Sequence, residues 1–208
     1  MDTGLSAFAL VCTLTSSPDA SSTQLLADQV LAELGEWGVT GESIRTVDHS
    51  IRAGVSADEG DGDEWPGIRS RILDADIVIV TTPIWMGHMS SEAQRVLERL
   101  DAELSVYDDE GRAILAGKVA VTAVVGNEDG AHAATAALYQ GLADVGFTIP
   151  SQGGTYWVGE AMQTVDYRDL DETPSVVAST NALVAANATH LARVLRDHPY
   201  KPSQPAGE

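Results

Sequence analysis

Two rhythms of apolar residues alternate along this chain. Continuous apolar runs at 7–12, 76–81 and 119–125 have no polar face, as expected of strands covered on both sides. Between them lie segments with helical spacing. After the first run, Ala27, Val30, Leu31 and Leu34 recur at i, i+3, i+4 and i+7, with Gly35 as a stop. A short second strand is predicted at 43–48 and a short helix at 65–75. A further helix has Ala93, Val96, Leu97 and Leu100 on one face, with Glu92, Arg95, Glu98 and Arg99 elsewhere; Ser91 and Gln94 are spaced as a capping box. A fourth helix ends near Gly146, and a fifth strand begins at 147–150. Residues 153–171 read as irregular and aromatic. Thr173-Pro174 then opens a last helix whose face carries Ala188, Leu191, Ala192 and Leu195. Five strands alternating with five helices predict an α/β fold, one parallel sheet with helices on both faces. No repeat or linker divides it, so residues 1–198 form one domain and 199–208 a frayed Pro/Ser/Gly-rich tail.

The remaining composition removes several classes of function. The chain of 208 residues holds 31 acidic and 12 basic side chains, a net charge of −19, with no basic stripe to displace counterions from phosphates. Nucleic acid and anionic membrane surfaces are therefore not expected partners. Cys12, the one cysteine, lies in an apolar run and reads as a small buried hydrophobe. No run reaches the ~18 apolar residues of a membrane span, and Met1-Asp2-Thr3-Gly4 lacks a cationic leader, so a cytoplasmic protein is expected. Residues 54–64 alternate acids with glycine and read as a solvated loop; EF-hand spacing and its terminal Glu are missing, so no calcium site is expected.

In open α/β sheets ligands sit beyond the carboxyl ends of the strands, at the point where strand order reverses. Three loops there are chemically distinctive. The first, 13–23, holds seven hydroxyls and no Lys or Arg, and it leads into a helix N-terminus. Free N–H groups, hydroxyls and the helix dipole make it either a phosphate cradle or an ordinary Ser-rich loop capped by Ser21 and Gln24. It is neither a dinucleotide fingerprint nor a Walker A loop. The second, Thr82-Pro83-Ile84-Trp85-Met86-Gly87-His88-Met89, is apolar and aromatic, suiting contact with a flat ring or burial in the core. The third, Gly126-Asn127-Glu128-Asp129-Gly130-Ala131-His132, permits close backbone approach and offers the Asn127 amide; Asp129 could equally cap the next helix. No G-x-S-x-G elbow points to a serine hydrolase, and Thr81-Thr82-Pro83 replaces the Asp that a receiver domain needs.

Together these segments resemble the flavodoxin-like NADPH-dependent FMN reductase family. The match runs from Ser17-Pro18 and Ser21-Ser22-Thr23 through Glu64-Trp65-Pro66 and Asp74-Ala75-Asp76 to Thr82-Pro83-Ile84-Trp85-Met86-Gly87 and Val96-Leu97-Glu98-Arg99-Leu100-Asp101. It continues in the third loop, Tyr139-Gln140-Gly141-Leu142 and Thr155-Tyr156-Trp157-Val158-Gly159. The resemblance implies a flavodoxin-like three-layer sandwich with a five-stranded parallel sheet in the order 2-1-3-4-5 and FMN at the switch point. It assigns the FMN phosphate to Thr13, Thr15, Ser21, Ser22 and Thr23. Ring contact falls to Pro83, Ile84, Trp85, Met86 and Gly87, and to Gly126, Asn127 and Glu128. Many relatives carry Gly-Ser-Pro-Arg after the first strand and Ser-Asn-Thr at the helix start; here the Arg is absent and Ser22 replaces the Asn.

The activity implied is passage of a hydride from NADPH or NADH through FMN to a quinone or free flavin, with the cofactor doing the chemistry. No catalytic acid or base and no metal is assigned. His88, His132 and Tyr156 are candidate supporting hydrogen-bond donors by analogy, and Glu128 and Asp129 are expected near the ring edge. The alternative is a flavodoxin-type electron carrier, for which the acidic surface would suit basic redox partners. The irregular aromatic segment Gly153 to Tyr167, which contains Tyr156 and Trp157, favours the enzyme, because it suits a substrate wall; it equally suits a homodimer or higher homo-oligomer contact.

Overall fold

The computed structural model describes residues 4–161 and 163–202. The chain's start at 1–3 and the tail beyond 202 lie outside them, with the expectations placed there. Strands β1 (Ser6–Val11), β2 (Thr40–Arg45), β3 (Ile77–Trp85), β5 (Val119–Gly126) and β6 (Gly154–Val158) form a parallel sheet in the order β2-β1-β3-β5-β6; β4 (His88–Met89) adds a short antiparallel hairpin to β3. The five long strands thus take the 2-1-3-4-5 order of a flavodoxin-like sandwich.

The continuous apolar runs are explained by burial on both faces. One face presents Ala7, Ala9, Val11, Ile77, Ile79, Val121 and Val125 to Leu26, Val30 and Leu34 of α1 (Ser22–Glu36) and to Val184, Ala185 and Ala188 of α5 (Ser175–Asp197). The other presents Phe8, Leu10, Val78, Val80 and Ala120 to α2 (Trp65–Asp74), α3 (Ser91–Leu100) and α4 (Ala131–Asp144). Cys12 is fully buried on this second face, and burial, reinforced by the nearby Glu92 carboxylate, pushes its thiol far above the ordinary range. We therefore expect no reaction of the native protein with a thiol reagent at neutral pH; rapid modification without unfolding would contradict this packing.

Several boundaries differ from the expectations. The edge strand β2 pairs with β1 through Thr40 to Arg45, three residues earlier than its apolar content suggested. The fifth strand forms at 154–158, not 147–150, where Thr148 makes only an isolated bridge to Val119. Ser90, not Ser91, caps α3, its hydroxyl accepting from the Ala93 N–H at 3.2 Å. Gly130, not Asp129, occupies the cap position of α4, and Pro174 precedes rather than begins α5. Among the described residues no helix is long and apolar enough to cross a membrane.

The acidic loop is not merely solvated. Arg99, expected on the polar side of α3, is completely buried and is the loop's internal post. Its guanidinium donates to the Arg52 carbonyl at 2.8 Å, the Ser56 carbonyl at 2.8 Å and Asp63 Oδ2 at 2.8 Å. Asp63 in turn accepts from the N–H groups of Arg52, Glu59 and Trp65. A loop with little apolar content has folded around an ion pair.

Candidate functional site

A cavity of about 450 Å³ opens at the carboxyl ends of β1, β3 and β5, within the size range of cofactor sites. Its walls come from the three loops singled out in the sequence and from the irregular aromatic stretch after β5, which contributes Trp157 and residues 163–168. Of the thirteen residues named above, eleven line it: Thr13, Thr15, Ser21, Ser22, Thr23, Pro83, Ile84, Trp85, Gly126, Asn127 and Glu128. Met86 and Gly87 do not.

One end is built from the loop between β1 and α1. The buried Thr13 hydroxyl accepts from the Thr15 N–H at 3.2 Å and from the Ser21 hydroxyl at 3.1 Å, while Ser21 caps α1 by accepting from the Gln24 N–H at 3.3 Å. Thr13 and Ser21 therefore shape the loop as well as line the cavity. The capping box is half formed, since the Gln24 side chain turns to Asp28, Ser43 and Arg45. Outside the cavity, Arg45 Nη1 donates to the carbonyls of Thr15, Ser16 and Asp19 at 2.7–3.2 Å, committing three backbone acceptors away from the pocket. What faces inward is a donor-rich surface: Ser22 and Thr23 lie in the first turn of α1, whose N–H groups have no intrahelical acceptor, and no acidic residue stands there.

The other end is apolar and tightly braced. Contrary to the reading of 82–89 as a loop, β3 continues through Pro83 to Trp85 and returns at His88 through Met86 and Gly87. Both turn residues have positive φ (52° and 79°), the combination of a type I′ hairpin. This explains why Met86, 88% exposed, projects away from the cavity. Glu128 Oε1 accepts from the Met86 N–H at 2.7 Å, and Gly130 packs directly on the Gly87 backbone. The two ring-side loops thus act as one unit.

Residues on β6 alternate. Trp157 faces the cavity and meets the Tyr167 ring at 5.3 Å, whereas Tyr156 faces the opposite side and meets the edge of His132 at 5.1 Å. Within the aromatic segment expected as a wall, Trp157 and Tyr167 therefore line the cavity and Tyr156 does not. None of His88, His132 and Tyr156 lines the cavity.

The rest of the irregular segment contributes Gln163, Asp166, Tyr167 and Arg168, to none of which the sequence assigns an individual contact. Burial raises the Tyr167 hydroxyl above its ordinary range, so it stays protonated and donates to Gln29 Oε1 at 2.6 Å. Asp166 Oδ1 accepts from Asn127 Nδ2 at 2.9 Å, and Asn127 Oδ1 is buried without a donor among the described residues. The Arg168 N–H donates to the Ser22 hydroxyl at 3.3 Å, and its guanidinium donates to the Ala20 carbonyl. A cation therefore reaches the donor-rich end after all, delivered from 146 residues further along the chain.

With this geometry in place, comparison with known proteins is specific. A family model described as NADPH-dependent FMN reductase matches residues 9–163. The chain is 33% identical over 208 residues to the 8-demethyl-8-aminoriboflavin-5′-phosphate synthase of Streptomyces davaonensis, covering 94% of this chain and 80% of that protein. It is 36% identical over 201 residues to the divalent metal cation transporter MntH of Mycobacterium bovis, but spans only 29% of that protein's length against 93% of its own. The crystal structure of RosB with bound 8-demethyl-8-formylriboflavin-5′-phosphate is similar at a TM-score of 0.85 and 32% identity, over 94% of this chain and 82% of that one. A flavone reductase, at 13% identity, a TM-score of 0.68, and coverage of 95% and 66% respectively, shares the fold.

Proposed function

Because the chain belongs to the NADPH-dependent FMN reductase family, an FMN-dependent group of oxidoreductases, we propose that it passes electrons from NADPH or NADH to a small oxidant, a quinone or a free flavin. The observation that carries this reading is the polarity of one cavity. Helix-terminal N–H groups, hydroxyls and Arg168 lie at one end; Ile84, Trp85 and Trp157 lie at the other. A flavin 5′-phosphate has that same division. The buried Asn127 Oδ1, which lacks a donor among the described residues, fits a ring N–H.

FMN, when bound, supplies the hydride and electron chemistry. Ser22, Thr23 and Arg168 would hold its phosphate; Pro83, Ile84 and Trp85, with Gly126 and Asn127, would flank the ring. The braced hairpin and the loop after β5 would hold the ring in place. The balance is NAD(P)H plus a proton plus quinone giving NAD(P)⁺ plus quinol. Trp85, 54% exposed at the cavity mouth, offers a surface for the nicotinamide or quinone ring. The partners are small molecules, and a cytoplasmic setting suits nicotinamide supply.

We expect the purified protein to be yellow and to release FMN, not FAD, on denaturation, since the cavity has one phosphate-suited end. Under anaerobic conditions NADPH or NADH should bleach it, and added quinone should restore the colour. A flavin that ignores both nicotinamides would hand the assignment to an electron carrier. The likeness to a flavin-modifying synthase supports a second reading, in which the bound flavin 5′-phosphate is itself the substrate. Flavin recovered after turnover with an altered mass would favour it.

A further inference from the structure

A flavin phosphate would bring about two negative charges into a protein of net charge −19, and the loop that meets it contains no basic residue. The N–H groups and hydroxyls of the first turn of α1 offset part of that repulsion, and a cation would offset more. Among the described residues that line the cavity, Arg168 is the single cationic side chain, and Glu128 and Asp166 are both acidic. Arg45, the basic residue beneath the loop, is spent on three carbonyls and lies outside the cavity.

The geometry points to Arg168 as the counter-ion of the flavin phosphate and as the residue that selects flavin 5′-phosphate over unphosphorylated flavin. The inference rests on the FMN reading above. Arg168 enters from the short turn Tyr167–Asp169, whose backbone is tied to α1 through the Ser22 hydroxyl at 3.3 Å. Its guanidinium already lies beside the entrance to α1, at the Ala20 carbonyl. Its present ion pairs are long, 3.4 Å to Asp166 and 3.8 Å to Asp169, and the side chain is 38% exposed. Such solvated pairs hold a guanidinium weakly. A phosphate offers shorter, charge-assisted and bidentate bonds, which Arg fits better than Lys does.

Asp166 gives this arrangement a second consequence. One of its oxygens pairs with Arg168 and the other accepts from Asn127 Nδ2. When Arg168 turns to the phosphate, Asp166 keeps its hydrogen bond to Asn127 at the ring-side loop. The segment 163–168 therefore links the two ends of the cavity, and the phosphate contact stabilises the wall that Tyr167 and Trp157 form.

The test compares FMN with riboflavin, which has the same ring system and no phosphate. The full chain stripped of flavin is titrated with each, following quenching of flavin fluorescence, for the unaltered protein, Arg168→Gln and Arg168→Lys. Arg168→Gln should weaken FMN by about 10- to 100-fold, the loss expected for a hydrogen bond between charged groups, and riboflavin by less than about 2-fold. Arg168→Lys should fall between, and the salt dependence of FMN binding should flatten in Arg168→Gln. Parallel weakening of both flavins would mean that Arg168 only anchors its segment through Ala20, overturning the inference. So would an unchanged FMN-over-riboflavin preference in Arg168→Gln. Failure of the unaltered protein to bind either flavin would instead remove the FMN reading itself.

Discussion

Arg99→Met lowers the protein's stability by about 3–5 kcal/mol at pH 7, the cost of breaking a buried ion pair by removing one partner. The side chains of Arg99 and Asp63 are both 0% exposed and meet at 2.8 Å. Methionine fills much of the volume but leaves the Asp63 carboxylate buried and the carbonyls of Arg52 and Ser56 without their donor. The guanidinium also stacks 5.5 Å from the Trp65 ring, a contact that disappears with it. The deficit should depend on pH in a defined direction. Burial by itself would raise the Asp63 carboxyl, but the Arg99 hydrogen bond and three backbone N–H donors overcome it and hold the group well below the carboxylate range. A folded-state pKa below the unfolded one contributes stability that is present above about pH 4 and is lost as pH falls through the folded value. The gap between the two proteins should therefore be widest near neutrality and narrow below about pH 4. Urea melts at pH 7 and pH 3 measure it. Since neither residue lines the cavity, FMN affinity of the folded variant should stay within about 2-fold. A change of under about 1 kcal/mol at pH 7 would show that residues 52–63 do not depend on this post.

That post illustrates what a hydrophobic pattern can and cannot reveal. The sheet was legible because β1, β3 and β5 are buried on both faces, which forces continuous apolar runs. The edge strands were displaced because burial constrains them less. In β2 the first three residues, Thr40, Gly41 and Glu42, are exposed, and pairing with β1 alone sets their register. In β6 only alternate residues face α5, so the apolar Phe147 and Ile149 looked more strand-like than Thr155 and Trp157 do. Arg99 sits at a helix position that periodicity assigns to solvent, and only the acidic loop folding over it makes it internal. The site followed the same division. Loops that directly follow strands could be placed at the switch point from the sequence, and eleven of their thirteen named residues line one cavity. Met86 and Gly87 fell out because two positive φ values close a hairpin there, a turn that Trp85-Met86-Gly87-His88 does not announce. Arg168 carried no local signal, since its role arises from contact with Ser22 across 146 residues.

Gly130→Ala should damage the cavity from a position that does not line it. A Cβ at residue 130 would stand 2.5 Å from the Gly87 carbonyl oxygen and 2.6 Å from its Cα, backbone atoms that no side-chain rotation can relieve. The residue's φ of +134° is itself strained for any L side chain. The two loops must separate, and with them goes the 2.7 Å bond from the Met86 N–H to Glu128 that holds the hairpin against the end of β5. Pro83, Ile84 and Trp85 would then move relative to Gly126 and Asn127, opening the slot proposed for the flavin ring. We expect a stability loss on the order of 3 kcal/mol and a fall in FMN affinity of at least about 10-fold, a difference of about 1.4 kcal/mol. Riboflavin should weaken as much as FMN, because the damage lies at the ring end; this is the reverse of the pattern expected for Arg168→Gln. Gly35→Ala is the matched control, as its added Cβ meets nothing within 4 Å inside α1 and should be neutral or slightly stabilising. Thermal melting and flavin titrations on the three proteins decide the matter. Gly130→Ala with native stability and native affinity for both flavins would mean that the close approach of Gly87 and Gly130 has no part in forming the site.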